Sequence, residues 1–493
     1  MLVALTLVGV GLAYGYVRYR LDAIHTVGAS TLSPTGQATA NGLAPENILL
    51  IGNQSRACLT TPAQFAQFGN PAQLSGSLSD VIMVMHLDPK SRTASVLSIP
   101  RDLFEAMPKG TPSGPYEKID SALNDGVKGP ANLIAAIHED LGIPINHYVE
   151  VNFCGFEQTV NALGGIKMDF PERLYDLEAQ LNITHTGCQT ISGATALALV
   201  RSRHLQYDPP GVNPNDRALW PYDPESDLAR ITRDHTFLKV LINTAQSQGL
   251  YNPLKLNSFL SAVTNQVTMD PGLRNQLISL AATYRHVAAT NLPETTLPVT
   301  TYTNYVYGGY HLGDVDFAVQ PQDNQAIKAW DSQALPAPQD PTSVQVFNAV
   351  GTARLAADTG YSLTADGLHV TTEANAPVVA SPSETLIRYS PGQIAEGLAV
   401  MNRFAGAITM QPDSLVPPGQ VWVDVGTTET VVPPPGATAS QGAGTGTAAG
   451  GGTGTVTGAG AGTVPTATTV PTVGGVAPSA RNDHLTPYDP RPC

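Results

Sequence analysis

LSDVIMVMHLDPKSRTASVLSIPRDL, residues 78–103, reads as two buried strands joined by a turn. Val81 to Leu87 is an almost unbroken apolar run, and Thr93 to Ile99 is apolar and β-branched. Neither alternates, so both suit the middle of a sheet covered on two faces. Asp88, Pro89 and Lys90 form the turn between them. Ser79-Asp80 enters the first strand and Pro100-Arg101-Asp102 leaves the second. An α/β scaffold is rigid at such rims and open in its loops, which is where it places chemistry. The competing reading is a solvated strand end with Asp102 as a helix cap.

Working outward, NILLIG at 47–52 gives another buried strand. A helical pattern runs from Lys118 to Asp140 through Leu123, Leu133, Ile134 and Ile137, interrupted at Gly129-Pro130. Strands are predicted at 148–153 and 166–170, with a short helix at 156–163 and a Gly164-Gly165 turn between them. SGATALALV, from Ser192, is an N-capped apolar helix that ends in Arg201-Ser202-Arg203. A loop rich in proline and aspartate follows to 227, then helices over 227–248, 253–267 and 272–286. Strands alternating with helices predict a layered α/β sheet. From 343 to 426 a second strand and helix pattern predicts a small, separate α/β domain, which a cut near residue 340 would leave dispensable for catalysis. Residues 433–493 are dominated by Gly, Thr, Ala and Pro, and are expected to form a disordered tail.

The net charge of -14 argues against a nucleic-acid partner, which would need a basic face for the phosphates. Residues 1–17 are apolar and are followed by Arg18 and Arg20, so residues 1–20 are expected to be a single-pass, uncleaved membrane anchor. Those arginines lie on the wrong side for the positive-inside rule, so a basic cytoplasmic segment is expected upstream. A Ser/Thr/Gly-rich spacer fills 21–45. Cys58, Cys154, Cys188 and Cys493 show no CxxC spacing. Their even number fits an oxidising compartment, with three pairings open if all are bridged, against buried free thiols.

Arg101, Arg201, Arg203, Arg230 and Arg233 all fall at the ends of expected core elements. Arg230 and Arg233 share a helix face, with Asp227 three residues back. Planar guanidinium forks match phosphate oxygens, whereas ion pairs with the acidic loop at 208–227 would be worth little each.

NILLIG, the Ser79-Asp80 strand entry, SIPRD, Lys118-Ile119, LGIPINHYVEVNFCGF, ALGGI, SGATALALVRSRH and DLARITR together resemble the LytR-CpsA-Psr family of cell-envelope proteins, in order from residue 46 to about 245. Residues 343–426 look like the small domain at the C-terminus of some members. The resemblance implies an α-β-α layered sandwich around a central mixed sheet over 46–335. It also implies an extracytoplasmic phosphotransferase held at the cell membrane. Such an enzyme moves a wall polymer, arabinogalactan or another anionic glycopolymer, from a polyprenyl diphosphate carrier to peptidoglycan through a phosphodiester.

By the same resemblance Asp80, Arg101 and Arg230 would be catalytic. Arg201, Arg203, Arg233, Lys118 and Arg56 would bind substrate, and Asp80, Asp102 and Asp227 would hold Mg²⁺ or Mn²⁺. Gln54 stands where the family commonly has an aspartate, and Asp234 follows Arg233 where glutamine is common. The alternatives are a polyprenyl-diphosphate phosphatase and a wall-binding protein with a degraded site. Shared membership of one domain in an oxidising compartment predicts a Cys154–Cys188 disulfide, and gives Cys58 and Cys493 no assigned partner.

Overall fold

The structure, a computed structural model, describes residues 15–28, 32, 44–56, 58, 59, 62, 65, 78–111, 114–213, 216–224, 226–247, 257, 259–261, 264, 266–284, 287, 288, 292–332, 334–375, 383–427, 430, 431 and 485–493. In chain order, the elements around the site are β1 (Glu46–Asn53), β2 (Ser79–Asp88), β3 (Thr93–Ile99), α1 (Gly129–Leu141), β4 (His147–Asn152), α2 (Phe153–Ala162), β5 (Ile166–Phe170), β6 (Gly187–Ile191), α3 (Gly193–Arg201), α4 (Ser226–Ser247) and α5 (Pro271–Tyr284).

The central sheet is mixed and runs His25–Thr26, Val267–Met269, β4, β1, β2, β3, Glu294–Thr296. β1 is parallel to β4 and antiparallel to β2. β2 lies inside the sheet, as its unbroken apolar run requires. Val84 sits opposite Leu49 and Leu97, and Ile82 opposite Ile51 and Ile99, all buried. That face packs on Leu133, Ile134 and Ile137 of α1. On the other face Met83 and Val96 meet Leu238 and Ile242 of α4, and Ile48 and Met269 meet Leu273 and Leu277 of α5. The layering is therefore helix, sheet, helix.

Gly129-Pro130 opens α1 rather than interrupting a longer helix. The residues before it form the short 3-10 turns Ile119–Asn124 and Gly126–Lys128. Proline fits a first turn because its missing N–H has no partner there. Of the helix expected over 253–267, most positions lie outside the described residues, and its end is the strand Val267–Met269, which lies between His25–Thr26 and β4. The expected anchor lies outside the described residues up to position 14; residues 15–22 are helical. No helix among the described residues is long and apolar enough to cross a membrane.

The small domain has its own core, including Val344, Ile387, Leu398, Phe404 and Val423. It is not detached. The hairpin β7 (Val299–Tyr307) and β8 (Tyr310–Gln320) joins β9 (Ser343–Asn348), β10 (Val370–Asn375), β11 (Thr385–Tyr389), β12 (Phe404–Pro412) and β13 (Gln420–Val425) in one sheet, ordered β7-β8-β12-β11-β13-β9-β10. Val319 and Gln320 pair with Ala407 and Gly406. Met410 N–H donates to Asp140 at 2.7 Å, and Ala106 N–H donates to the Thr409 hydroxyl at 3.1 Å. The expectation that a cut near residue 340 is harmless is therefore corrected. Such a cut would bare a sheet edge and leave these polar groups without partners.

The disulfide also differs from expectation: Cys58 pairs with Cys154, their Cα atoms 6.2 Å apart, and Cys188 is a thiol. The reason is sheet order. β1 and β4 are parallel neighbours, so the chain leaving β1 toward Cys58 runs beside the start of α2, where Cys154 sits. Residues 485–493, expected to be disordered, end in a strand, β14 (Arg491–Pro492), that pairs with β5.

His147, at the start of β4, is buried between Asp270, 3.0 Å from Nδ1, and Glu46, 3.2 Å from Nε2. Burial alone would lower its pKa, but the two carboxylates raise it from 6.5 to about 9. A raised folded-state pKa gives stability that is complete below the ordinary value and is lost as pH climbs through the raised one. Roughly 3 kcal/mol is at stake. The thermal midpoint should fall between pH 6.5 and 9 in the wild type. His147→Gln should start lower at pH 6 and fall much less than the wild type over that window.

Candidate functional site

The register that sets Ile82 opposite Ile99 also brings Asp80, at the start of β2, to Arg101, just past the end of β3. Arg101 Nη1 donates to Asp80 Oδ1 at 2.7 Å. Gln54, immediately after β1, reaches the same rim, its N–H bonded to the Leu78 carbonyl. α3 delivers Arg201 there. Ser192 caps α3 by accepting from the Thr195 N–H, and Gly193 lets the helix approach α2, where a Cβ would collide with the Glu157 carbonyl. Arg230 arrives from the first turns of α4.

These residues surround a polar cavity of about 200 Å³ lined by Gln54, Asp80, Arg101, Arg201, Arg203 and Arg230, together with Asp176 and Glu178. It adjoins an apolar cavity of about 680 Å³ between the central sheet, α4 and α5. Asp80 and Arg201 line both. The apolar walls include Leu50, Val149, Phe153, Leu238 and Ile278, and Val17 and Leu21 from the helix at 15–22. One end of the combined space is cationic and the other is hydrocarbon-like.

Asp102 is held by Arg101 Nε at 3.3 Å, Lys118 Nζ at 2.8 Å and Arg203 Nη2 at 3.4 Å. Burial raises its pKa, but the three cations outweigh that and leave the carboxyl below its usual range. Asp102, expected to hold metal, and Lys118, expected to bind substrate, stand behind the cavity wall, where Asp102 anchors Arg101 and Arg203. Arg201 lies over Phe153, its guanidinium carbon 4.4 Å from the ring centroid, and Arg56 approaches the same ring at 5.9 Å without lining either cavity. Burial lowers the Arg201 pKa from its ordinary value, against the opposing pull of Asp80. The backbone of Asp227 lies in the first turn of α4, and its side chain lies outside the described residues.

Arg233 is turned away from the cavity and fully buried. Its Nη1 donates to Asp223 at 2.6 Å and reaches Asp489 at 3.5 Å, and its Nη2 donates to the Ser202 carbonyl at 2.8 Å. The expected substrate contact is corrected: two carboxylates draw this guanidinium inward, and it braces the segment between Arg201 and Arg203. Arg233→Lys keeps the charge but loses the fork, and should cost roughly 1.5–3 kcal/mol. Denaturant unfolding measures that, and turnover should fall far less than in the Arg101 variant discussed below.

Three contributors escaped the sequence reading. Asp176 accepts from the N–H groups of Glu178, Ala179 and His204 and from the Ser202 hydroxyl, and so pins the strip that carries Arg203. The signal available was the short Asp-x-Glu turn itself. Asp120 is buried, and burial raises its carboxyl to about 7 against the pull of Arg101. Phe153 supplies the ring under Arg201; nothing local in the sequence marked either residue.

The sequence model of the LytR_cpsA_psr family matches residues 23–327. The chain belongs to the LytR-CpsA-Psr family. A second model, described as LytR cell envelope-related transcriptional attenuator, matches 342–428 and covers the small domain. Among relatives, the chain is 31% identical over 273 residues to a probable cell wall biosynthesis protein, LcpB, of Corynebacterium glutamicum, a match covering 55% of this chain and 58% of that one. It is 34% identical over 132 residues to TagV of Bacillus subtilis, a polyisoprenyl-teichoic acid–peptidoglycan teichoic acid transferase, covering 25% of this chain and 32% of that protein. A solved LytR-Csp2A-Psr enzyme from Actinomyces oris is similar at 22% identity and a TM-score of 0.42, over 58% of this chain and 89% of that one.

Proposed function

We propose that this LytR-CpsA-Psr protein is an extracytoplasmic phosphotransferase that moves a wall glycopolymer from a polyprenyl diphosphate carrier to peptidoglycan. The observation that carries the reading is the junction of the two cavities at Asp80 and Arg201. A lipid diphosphate has a charged head and a hydrocarbon tail in the same order. The arginine-lined end fits the diphosphate, and the apolar end, with walls from β1, β4, α4 and α5, fits the isoprenoid. Val17 lies in the last turn of the expected anchor and Leu21 directly follows it, which suits a tail delivered from the membrane. The teichoic acid transfer of TagV and the cell-wall role of LcpB point to the same substrate class.

In this reading Arg101, Arg201, Arg203 and Arg230 orient the diphosphate and neutralise charge on its oxygens as the acceptor hydroxyl attacks the polymer-bearing phosphorus. The phosphorus–oxygen bond to the carrier breaks, polyprenyl monophosphate leaves, and polymer and peptidoglycan are joined by a phosphodiester. Mg²⁺ would add electrophilic stabilisation of the diphosphate. Among the described residues no cluster of three His, Cys, Asp or Glu side chains is placed to hold a metal. Asp80 faces the cavity, and one carboxylate with substrate oxygens and water is a donor set that Mg²⁺ accepts. Mn²⁺ would draw on the same oxygens.

The test is incubation of the full chain with a polyprenyl-diphosphate-linked oligosaccharide and a muropeptide. The expected products are a phosphodiester-linked conjugate and polyprenyl monophosphate. Release of the oligosaccharide phosphate without a conjugate would replace the reading with a hydrolase. No turnover would replace it with a wall-binding protein, in keeping with the neutral Gln54 in the cavity wall.

A further inference from the structure

Residues 485–493, LTPYDPRPC, are separated from the rest of the described chain by more than fifty positions of Gly/Thr/Ala/Pro-rich sequence, and they return to the catalytic half. The Tyr488 ring stacks on Tyr207 with centroids 3.9 Å apart and planes 9° from parallel. Its hydroxyl donates to Asp223 at 3.3 Å. Asp489 is almost wholly buried, accepts from the N–H and hydroxyl of Thr486, and faces Arg233. In β14, Arg491 and Pro492 pair antiparallel with Asp169 and Met168 of β5.

The other edge of β5 carries β6, in which Cys188 also stands opposite Asp169. Residues level across a sheet share a face, and a strand returns to that face every second residue. Cys188, Asp169 and Arg491 therefore share one face, and Cys493, two residues on, returns to it. Both thiols are exposed. Cys188 and Cys493 flank β5 from opposite sides, Cys493 lies beyond the paired residues of β14, and the side chains of the two cysteines meet in a hydrogen bond. Cys58–Cys154 already occupies the other two cysteines and marks an oxidising compartment.

We propose that Cys188 and Cys493 form a second disulfide, which clamps residues 485–493 onto β5 and keeps Asp489 against Arg233. The two thiols give up two protons and two electrons as the S–S bond forms. The acceptor is the disulfide of a thiol–disulfide oxidoreductase, which is reduced to its dithiol. The clamp does not depend on the phosphotransferase reading, because it needs only the contact between the two thiols and the compartment. Its consequence for the site is mechanical: the Ser202 carbonyl held by Arg233 lies between Arg201 and Arg203.

The test uses the full chain, alkylated with N-ethylmaleimide on lysis and digested with trypsin without reductant. Trypsin does not cut Arg491-Pro492, so residues 174–201 and 482–493 carry the two cysteines on separate peptides. The expected result is one cross-linked species of these two peptides that dithiothreitol separates, beside the Cys58–Cys154 link. Maleimide on Cys188 or Cys493 in chains whose Cys58–Cys154 bond is intact would overturn the proposal, as would either cysteine bridging two chains. In a second arm the native protein is nicked at Arg481. In the wild type the 482–493 fragment should stay with the domain through gel filtration in denaturant until reductant is added. In Cys493→Ser it should be lost at once, and loss of the wild-type fragment before reduction would equally overturn the clamp.

Discussion

Replacing Arg101 with alanine is expected to lower turnover by about a thousandfold, on the scale of arginines that stabilise phosphoryl-transfer transition states. Arg101 is the cation that the β2–β3 register sets at the polar cavity, bonded to Asp80 at 2.7 Å and to Asp102 at 3.3 Å. Its fork can serve phosphate oxygens only because those two carboxylates fix its orientation in advance, which is the preorganisation that electrostatic catalysis needs. The fold should survive the change. Asp80 is partly open to water, and Asp102 keeps Lys118 and Arg203. Steady-state kinetics beside thermal unfolding separates the two effects, and Arg101→Lys should recover part of the rate because it restores charge without the fork. A near-native rate in a folded Arg101→Ala protein would remove Arg101 from the site.

Asp80→Asn is expected to reduce turnover by roughly a hundredfold or more and to weaken Mg²⁺ binding, given the several kcal/mol of charge stabilisation a metal supplies. The geometry gives a companion variant. Gln54 and Asp80 line the same small cavity, so Gln54→Asp would place a second carboxylate beside the first. Because Mg²⁺ uses one or two protein carboxylates, that variant should bind it more tightly. Calorimetric titration of Mg²⁺ into the wild type and both variants reads the metal apart from turnover. If Asp80 only caps a strand, Asp80→Asn should lose stability and leave Mg²⁺ binding unchanged.

What the sequence disclosed followed from which groups were constrained locally. β1, β2 and β3 were legible because burial on both faces leaves an unbroken apolar run, and Arg101, Arg201 and Arg230 because each lies at one end of a well-marked element. The hairpin β7–β8 was missed. Its VTTYTNYVY strand has little apolar continuity and is held instead by Tyr305 and Tyr307 packing on Phe104, with Tyr305 also on Phe317. Arg233 was misassigned because its partners, Asp223 and Asp489, lie 10 and 256 residues away and only the fold brings them together. The disulfide was mispaired for the same reason, since strand order cannot be read from strand pattern. The order in 485–493 was hidden by composition: a short segment with three prolines reads as disordered unless the surface that receives it is known.

The central claim is that the arginine cavity and the apolar cavity take one ligand. Isothermal titration of the full chain with inorganic diphosphate and with prenyl diphosphates of increasing length tests it directly. The expected result is affinity that climbs with chain length, by roughly a hundredfold or more between inorganic diphosphate and a twenty-carbon prenyl diphosphate, as isoprene units leave water for the apolar walls. Arg101→Ala should weaken every member of the series by a similar factor. Equal affinity for inorganic diphosphate and the long prenyl diphosphate would contradict the claim, because the apolar cavity would then contribute nothing to binding the carrier.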